Sequence, residues 1–192
     1  MGKRVSGKIL LIGLLLLAPG AWATQAVFAG GSFWVMEALF AGRPGVERIE
    51  AGWMQSGSQH QRRQVVRVHY DDNLVGYGEL LTLYWAAVDL FDDEGQFCDR
   101  GREYSPALYV QSSLQQKWAQ QSRAKLELET GRELGVRILP VGAFALALPR
   151  HQGYAERNPL LYGAYRRACG YPAGERLNPE ALAGVLPPAI AR

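Results

Sequence analysis

A short, apolar, β-prone run, Ala26-Val27-Phe28-Ala29, meets the glycine pair Gly30-Gly31 and passes at once into Ser32-Phe33-Trp34 and the helical run Val35-Met36-Glu37-Ala38-Leu39-Phe40. The expected unit is a strand, a glycine turn and a helix start. That order puts Ser32 beside the free N–H groups of a helix N-terminus, where negative charge is favoured.

The rest of the chain extends this unit in an alternating order. Gly42-Arg43-Pro44-Gly45 reads as a turn. Val46 to Met54 reads as a strand, Gln55 to Arg63 as a polar loop, and Gln64 to Tyr70 as a β-branched strand. Gly78 to Val88 carries apolar residues at helical spacing, Ala107 to Val110 is strand-like, and Ser113 to Thr130 is a long amphipathic helix closed by Gly131. Val136 to Val141 is a further strand, and the stretch from Pro149 onward is an irregular tail with one short helix near Gly153 to Arg157. The chain has 192 residues, 48% hydrophobic and 20% charged, which suits a single core. The order β-α-β-β-α-β-α-β predicts an α+β fold: a ferredoxin-like mixed sheet with flanking helices and a long irregular C-terminal tail.

Lys3, Arg4 and Lys8 precede the apolar run Ile9 to Leu17, followed by Pro19-Gly20 and Ala21-Trp22-Ala23. This is the order of a secretory signal peptide, so residues 1–23 are expected to be a leader and 24–192 the domain of an exported, periplasmic or secreted protein. Membrane contact is expected only through an uncleaved leader. A net charge of +3, spread along the chain, gives no reason to expect nucleic acid. In an oxidising compartment Cys98 and Cys169 have two options, a bridge or two separate thiols. Separate thiols are the expectation, with Cys98 read as a small buried apolar residue.

The glycine block resembles the active-site signature of the type A peptide methionine sulfoxide reductases, with Ser32 where that family has cysteine. Further segments are similar in the same order: Glu37 and Phe40, Arg43 to Val46, Gln64 to Asp71, Tyr77 to Leu81, Gly95-Gln96-Phe97-Cys98-Asp99-Arg100-Gly101 with Tyr104, Ile138-Leu139-Pro140, His151-Gln152, Tyr154, Asn158-Pro159 and Tyr162 to Gly170. The resemblance implies attack of a cysteine on the sulfoxide sulfur of oxidised methionine. Aromatic rings hold the methyl group, an acid and tyrosines serve the oxygen, and a second thiol resolves the sulfenic acid. Carried over, Phe33, Trp34 and Trp53 form the substrate wall, Asp99 and Tyr104 line its polar side, and Cys169 stands where a resolving cysteine can occur.

Several positions depart from that pattern. Gln64 falls at the acidic proton donor, Trp53 at an expected tyrosine, the loop between them is short, and Leu148-Pro149 replace an acidic pair. Serine cannot stand in for the nucleophile, because oxygen transfer to it would leave a hydroperoxide in place of a reducible sulfenic acid. An amide at position 64 cannot deliver a proton, although it can donate a hydrogen bond. The implied function is binding of methionine or its sulfoxide in proteins or peptides without turnover. The alternative is a working reductase using Cys98 as a relocated nucleophile and Cys169 as its partner, supported by a thiol reductant such as thioredoxin. A third possibility uses the fold only as a scaffold. No resident cofactor is expected, and His60, His69 and His151 lack metal-ligand spacing. His69 reads as solvated, Arg62-Arg63 and Arg166-Arg167 as surface charges, and Trp85 and Trp118 as packing.

Overall fold

In the computed structural model, which describes residues 24–55 and 62–171, the apolar run is strand β1, Thr24–Ala29, near the middle of a six-stranded sheet. The expected leader and His60 lie outside the described residues. After β1 come helix α1 (Phe33–Phe40), the long strands β2 (Val46–Gln55) and β3 (Arg62–Tyr70), and helix α2 (Tyr77–Ala87). Next come a small hairpin, β4 (Gly95–Gln96) with β5 (Asp99–Arg100), then strand β6 (Ala107–Val110) and helix α3 (Ser113–Thr130). Strands β7 (Arg137–Pro140) and β8 (Ala143–Leu146) and helices α4 (Tyr154–Arg157) and α5 (Pro159–Ala168) complete the described chain.

The sheet order is β7-β6-β1-β3-β2-β8. β1 pairs antiparallel with β3 and β6, and β2 with β3 and β8. β7 lies parallel to β6, as a connection through the long helix α3 allows. The sheet is therefore mixed, and the α+β architecture with flanking helices is the one the sequence predicts. The inner order β6-β1-β3-β2 with its two intervening helices is the β-α-β-β-α-β arrangement.

Strand alternation sorts the side chains. Ala26, Phe28, Val66, Val68, Tyr70 and Leu108 share a face with α1, α2 and α3 and form the main core. Phe28 is fully buried, its ring 4.7 Å from Phe40, 5.5 Å from Tyr84 and 6.3 Å from Tyr77. Trp85 and Trp118 serve packing as expected. Trp85 is buried and donates Nε1–H to Ser122 Oγ at 3.0 Å. Trp118 lies so close to Gly78 that a Cβ there would stand 2.5 Å from the ring, which explains glycine inside α2.

The opposite face carries a smaller layer, Val27, Ala29, Met54, Val65, Ala107 and Tyr109. Alternation also overturns two sequence expectations here. Arg63 is not a surface charge: it is 2% exposed, and its Nε–H donates to Ser105 Oγ at 2.8 Å. Its neighbour Arg62 stays outside, over the Trp53 ring at 4.4 Å. His69 is buried and not solvated, with Nε2 2.7 Å from Glu50 Oε2, while Arg67 and Arg48 bind the same carboxylate.

Three elements escape the sequence pattern. The expected loop from Gln55 to Arg63 is partly strand, with pairing continued to Gln55↔Arg62. β8 is a short edge strand with little alternation. α5 occupies much of the supposed irregular tail, yet it buries only Tyr162 and leaves Leu160 and Leu161 exposed. Its ten residues carry an amphipathic period that a reading of this stretch as irregular tail passes over. Truncating the central ring, Phe28→Ala, should lower stability by about 3–5 kcal/mol. A lower urea midpoint at unchanged m-value would show it.

Candidate active site

Gly31 and Ser32 turn β1 into α1. Gly31 has φ +76°, a conformation that L side chains rarely adopt, and its N–H donates to the Tyr104 carbonyl at 2.9 Å. Ser32 caps the helix in an extended conformation, with Oγ accepting the Trp34 N–H at 3.3 Å. Two further N–H groups of this terminus are held by side chains. The Ser32 N–H donates to Asp99 Oδ2 at 2.9 Å, and the Phe33 N–H donates to Gln64 Oε1 at 3.1 Å. Gln64 is there because β2–β3 pairing sets it directly opposite Trp53. With its oxygen turned to the helix, its amide N–H groups remain as donors, and Tyr104 shares a side-chain hydrogen bond with it.

Asp99 is the node of the polar side. Besides the Ser32 N–H, its Oδ2 accepts the Tyr165 hydroxyl and the Tyr171 hydroxyl, the latter at 2.5 Å. Tyr171 also donates to the Gln96 carbonyl at 3.3 Å. A covalent link stands beside this node: Cys98 and Cys169 form a disulfide with Cα atoms 5.1 Å apart. The expectation of two separate thiols is thereby corrected, and so is that of a buried Cys98. Cys98 is exposed in the β4–β5 turn, while Cys169 is half-buried at the end of α5.

The apolar side is a chain of rings. Phe33 meets Trp34 at 6.2 Å and Trp53 at 5.9 Å, both edge to face. Trp34 stacks on Tyr154 at 3.9 Å, and His151 packs against Phe33 at 5.3 Å and Trp34 at 5.9 Å. Burial, with Arg150 nearby, pulls the His151 ring below its ordinary range, so it is neutral at pH 7. Behind the rings Glu37 accepts the Gly153 N–H at 2.6 Å and the Tyr154 N–H at 3.3 Å, which holds α4 against α1. Burial raises its carboxyl, against the pull of these two bonds.

Ser32, Phe33, Trp34, Trp53, Gln64, Asp99 and Tyr104 thus converge around one helix terminus. Cys98 and Cys169 lie beside them as a bridge. Sequence reasoning missed Tyr165 and Tyr171, which share Asp99, and His151, which closes the ring chain. The spacing from Cys169 to both tyrosines was the available signal, and the bridge supplies its meaning. Among the described residues Ser32 Oγ accepts the Trp34 N–H, and the neighbouring Asp99 carboxylate is bonded to the Ser32 N–H. Serine in such surroundings stays protonated and weakly nucleophilic.

A family model described as peptide methionine sulfoxide reductase matches residues 24–179. The chain belongs to that family. Peptide methionine sulfoxide reductase MsrA 2 of Caulobacter vibrioides is 43% identical over 158 residues, covering 76% of this chain and 80% of the relative. The MsrA 2 of Rhizobium meliloti is 36% identical over 166 residues, covering 82% and 84%. Among solved structures, methionine sulfoxide reductase A of Corynebacterium diphtheriae superposes with a TM-score of 0.65 at 23% identity, covering 81% of this chain and 85% of that one. Mxr1 from Saccharomyces cerevisiae in reduced form gives 0.67 at 19% identity, covering 73% and 88%. At these identities the structural matches establish a shared fold. The sequence relatives and the family model establish membership.

The tyrosines give this family member a defined alkaline response. Burial pushes Tyr70 up to about 12 from the ordinary 10. Burial and the Asp99 carboxylate raise Tyr165 and Tyr171 as well. Each folded-state value lies above the unfolded one, so the stability these groups contribute is full below pH ~10 and is lost as pH rises through the folded range. Unfolding temperature should therefore fall between pH ~10 and ~12, and the phenolate absorbance of the folded protein should lag behind that of the denatured chain.

Proposed function

We propose that this family member is an exported binding protein for methionine or methionine sulfoxide on protein and peptide surfaces, with no sulfoxide turnover of its own. The observation that carries the reading is the state of the α1 terminus. The hydroxyl at the nucleophile position accepts a backbone N–H, the neighbouring Asp99 carboxylate is taken up by the Ser32 N–H and two phenols, and the residue at the proton-donor position is an amide bound to the helix. Oxygen transfer needs a thiolate and an acid, and Ser32 and Gln64 supply neither. Binding needs an apolar surface for the methyl group and a hydrogen-bond donor for the oxygen. Trp34 and Trp53, partly exposed with Phe33 buried behind them, offer the first, and the Gln64 amide and Tyr104 hydroxyl the second. Export follows from the leader-like residues 1–23, and the Cys98–Cys169 disulfide suits an oxidising compartment.

Reductase by way of Cys98 and Cys169 fits less well. While bridged, neither sulfur is a free thiolate.

The test uses mature protein, methionine-S-sulfoxide and dithiothreitol. Wild type should give no methionine above background, yet shift the Trp34 indole resonance on adding the sulfoxide. Ser32→Cys alone should remain slow. Ser32→Cys with Gln64→Glu should raise the rate by about 100-fold or more over Ser32→Cys alone, since a positioned proton donor is typically worth that much. Wild-type turnover that disappears in Cys98→Ala would overturn the reading in favour of the thiol enzyme. An unmoved Trp34 resonance would leave the scaffold role.

A further inference from the structure

The disulfide stands among contacts that all join the same two segments. Phe97 and Cys98 form the tip of the β4–β5 hairpin, with Phe97 at φ 54°, a left-handed conformation that is unusual for an aromatic residue. Opposite them lies the end of α5, with Cys169 bridged to Cys98 and the Tyr171 ring 4.4 Å from Phe97. The Tyr165 and Tyr171 hydroxyls come down on Asp99, the residue next to the bridge. Tyr171 reaches the helix terminus itself: a Cβ on Gly31 would lie 2.4 Å from its hydroxyl oxygen. The phenol therefore sits directly over the Gly31–Ser32 junction. Away from this cluster α5 is anchored by Tyr162 in the main core, while Leu160 and Leu161 are exposed.

We infer that Cys98–Cys169 is a reducible clasp that keeps the Tyr165–Tyr171 segment closed over the Ser32 terminus. The reductant is a dithiol. Its thiolate attacks the exposed Cys98 sulfur, the S–S bond breaks, and Cys169 leaves as a thiolate that takes a proton. The second thiol of the reductant then attacks the mixed disulfide, releasing Cys98 as a thiol and carrying away the new disulfide. Two electrons pass from the dithiol to the protein, and two protein thiols result. In the closed state the bridge holds both phenols at Asp99. In the open state hydrogen bonds and ring contacts alone hold them, and the segment exchanges with solvent from the low end of the stability scale. The device goes beyond ligand binding and requires no ligand for its test.

Amide hydrogen exchange on the mature chain, oxidised and then reduced with dithiothreitol under native conditions, tests it directly. Complete reduction, confirmed by thiol count, should speed exchange of residues 158–171 and of the Ser32 N–H by about tenfold or more. The amides of Phe28 and Val66 should be unchanged, and reoxidation should restore the slow rates. Cys98→Ser with Cys169→Ser should behave as the permanently open form. Asp99→Asn with the bridge intact should speed Ser32 while leaving the thiol count at zero. Unchanged Ser32 exchange in the reduced protein would overturn the clasp. So would equal acceleration at Phe28 and Val66, which would mark the bridge as a staple of the whole fold, and so would native protein that resists the dithiol.

Discussion

One carboxylate oxygen organises this site. Asp99 Oδ2 accepts the Ser32 N–H and two tyrosine hydroxyls, and the elements that supply these donors come from opposite ends of the chain. Charge-assisted hydrogen bonds of this kind are among the stronger ones available to a protein. They also settle the electrostatics of the helix terminus, because the negative charge that such a terminus favours is already provided from within the molecule. In a nucleophilic enzyme that favourable field would act on a thiolate. Here it acts on the Asp99 carboxylate and a capping serine, which tie β1, the β4–β5 hairpin and the segment after α5 to one point.

The same terminus shows how binding and chemistry part company. The ring wall rests on strand pairing and on the packing of α1, and it needs no ionisable group. Catalysis would rest on two particular functional groups at positions 32 and 64. Replacing both leaves the wall standing, since serine caps a helix well and glutamine spans the same distance as glutamate while still accepting the Phe33 N–H. On the proposed reading, serine and glutamine keep the helix terminus capped while supplying neither thiol nor acid.

Much of this was legible in the sequence because strong local signals agreed with the tertiary outcome. The β1–α1 junction, the β-branched strand ending at Tyr70 and the long helix from Ser113 each carry a clear period bounded by turn or capping residues. The convergence of Trp53, Gln64, Asp99 and Tyr104 came from motif resemblance and not from periodicity, and the sheet register supplies its physical cause. What stayed hidden depends on partners far away in the chain. Arg63 looks like its exposed neighbour Arg62 until strand alternation turns it inward to Ser105. His69 looks solvated until Glu50 is placed across the ladder. α5 is short although amphipathic, and its place is held by Tyr162, by tyrosines 165 and 171, and by a bridge across a sequence separation of 71.

The pairing of Trp53 with Gln64, continued to Gln55↔Arg62, has a consequence for how the hairpin can vary. Side chains along β3 alternate between the ring wall and the second core layer, so a slip of one residue would exchange Gln64 with Arg63. A guanidinium would then stand at the rings and an amide against Tyr109. The link between Gln55 and Arg62 is therefore free to differ in length only as far as the ladder beneath it keeps its phase. The phase of this ladder, set by its pairing, thus decides which side chain of β3 meets the rings.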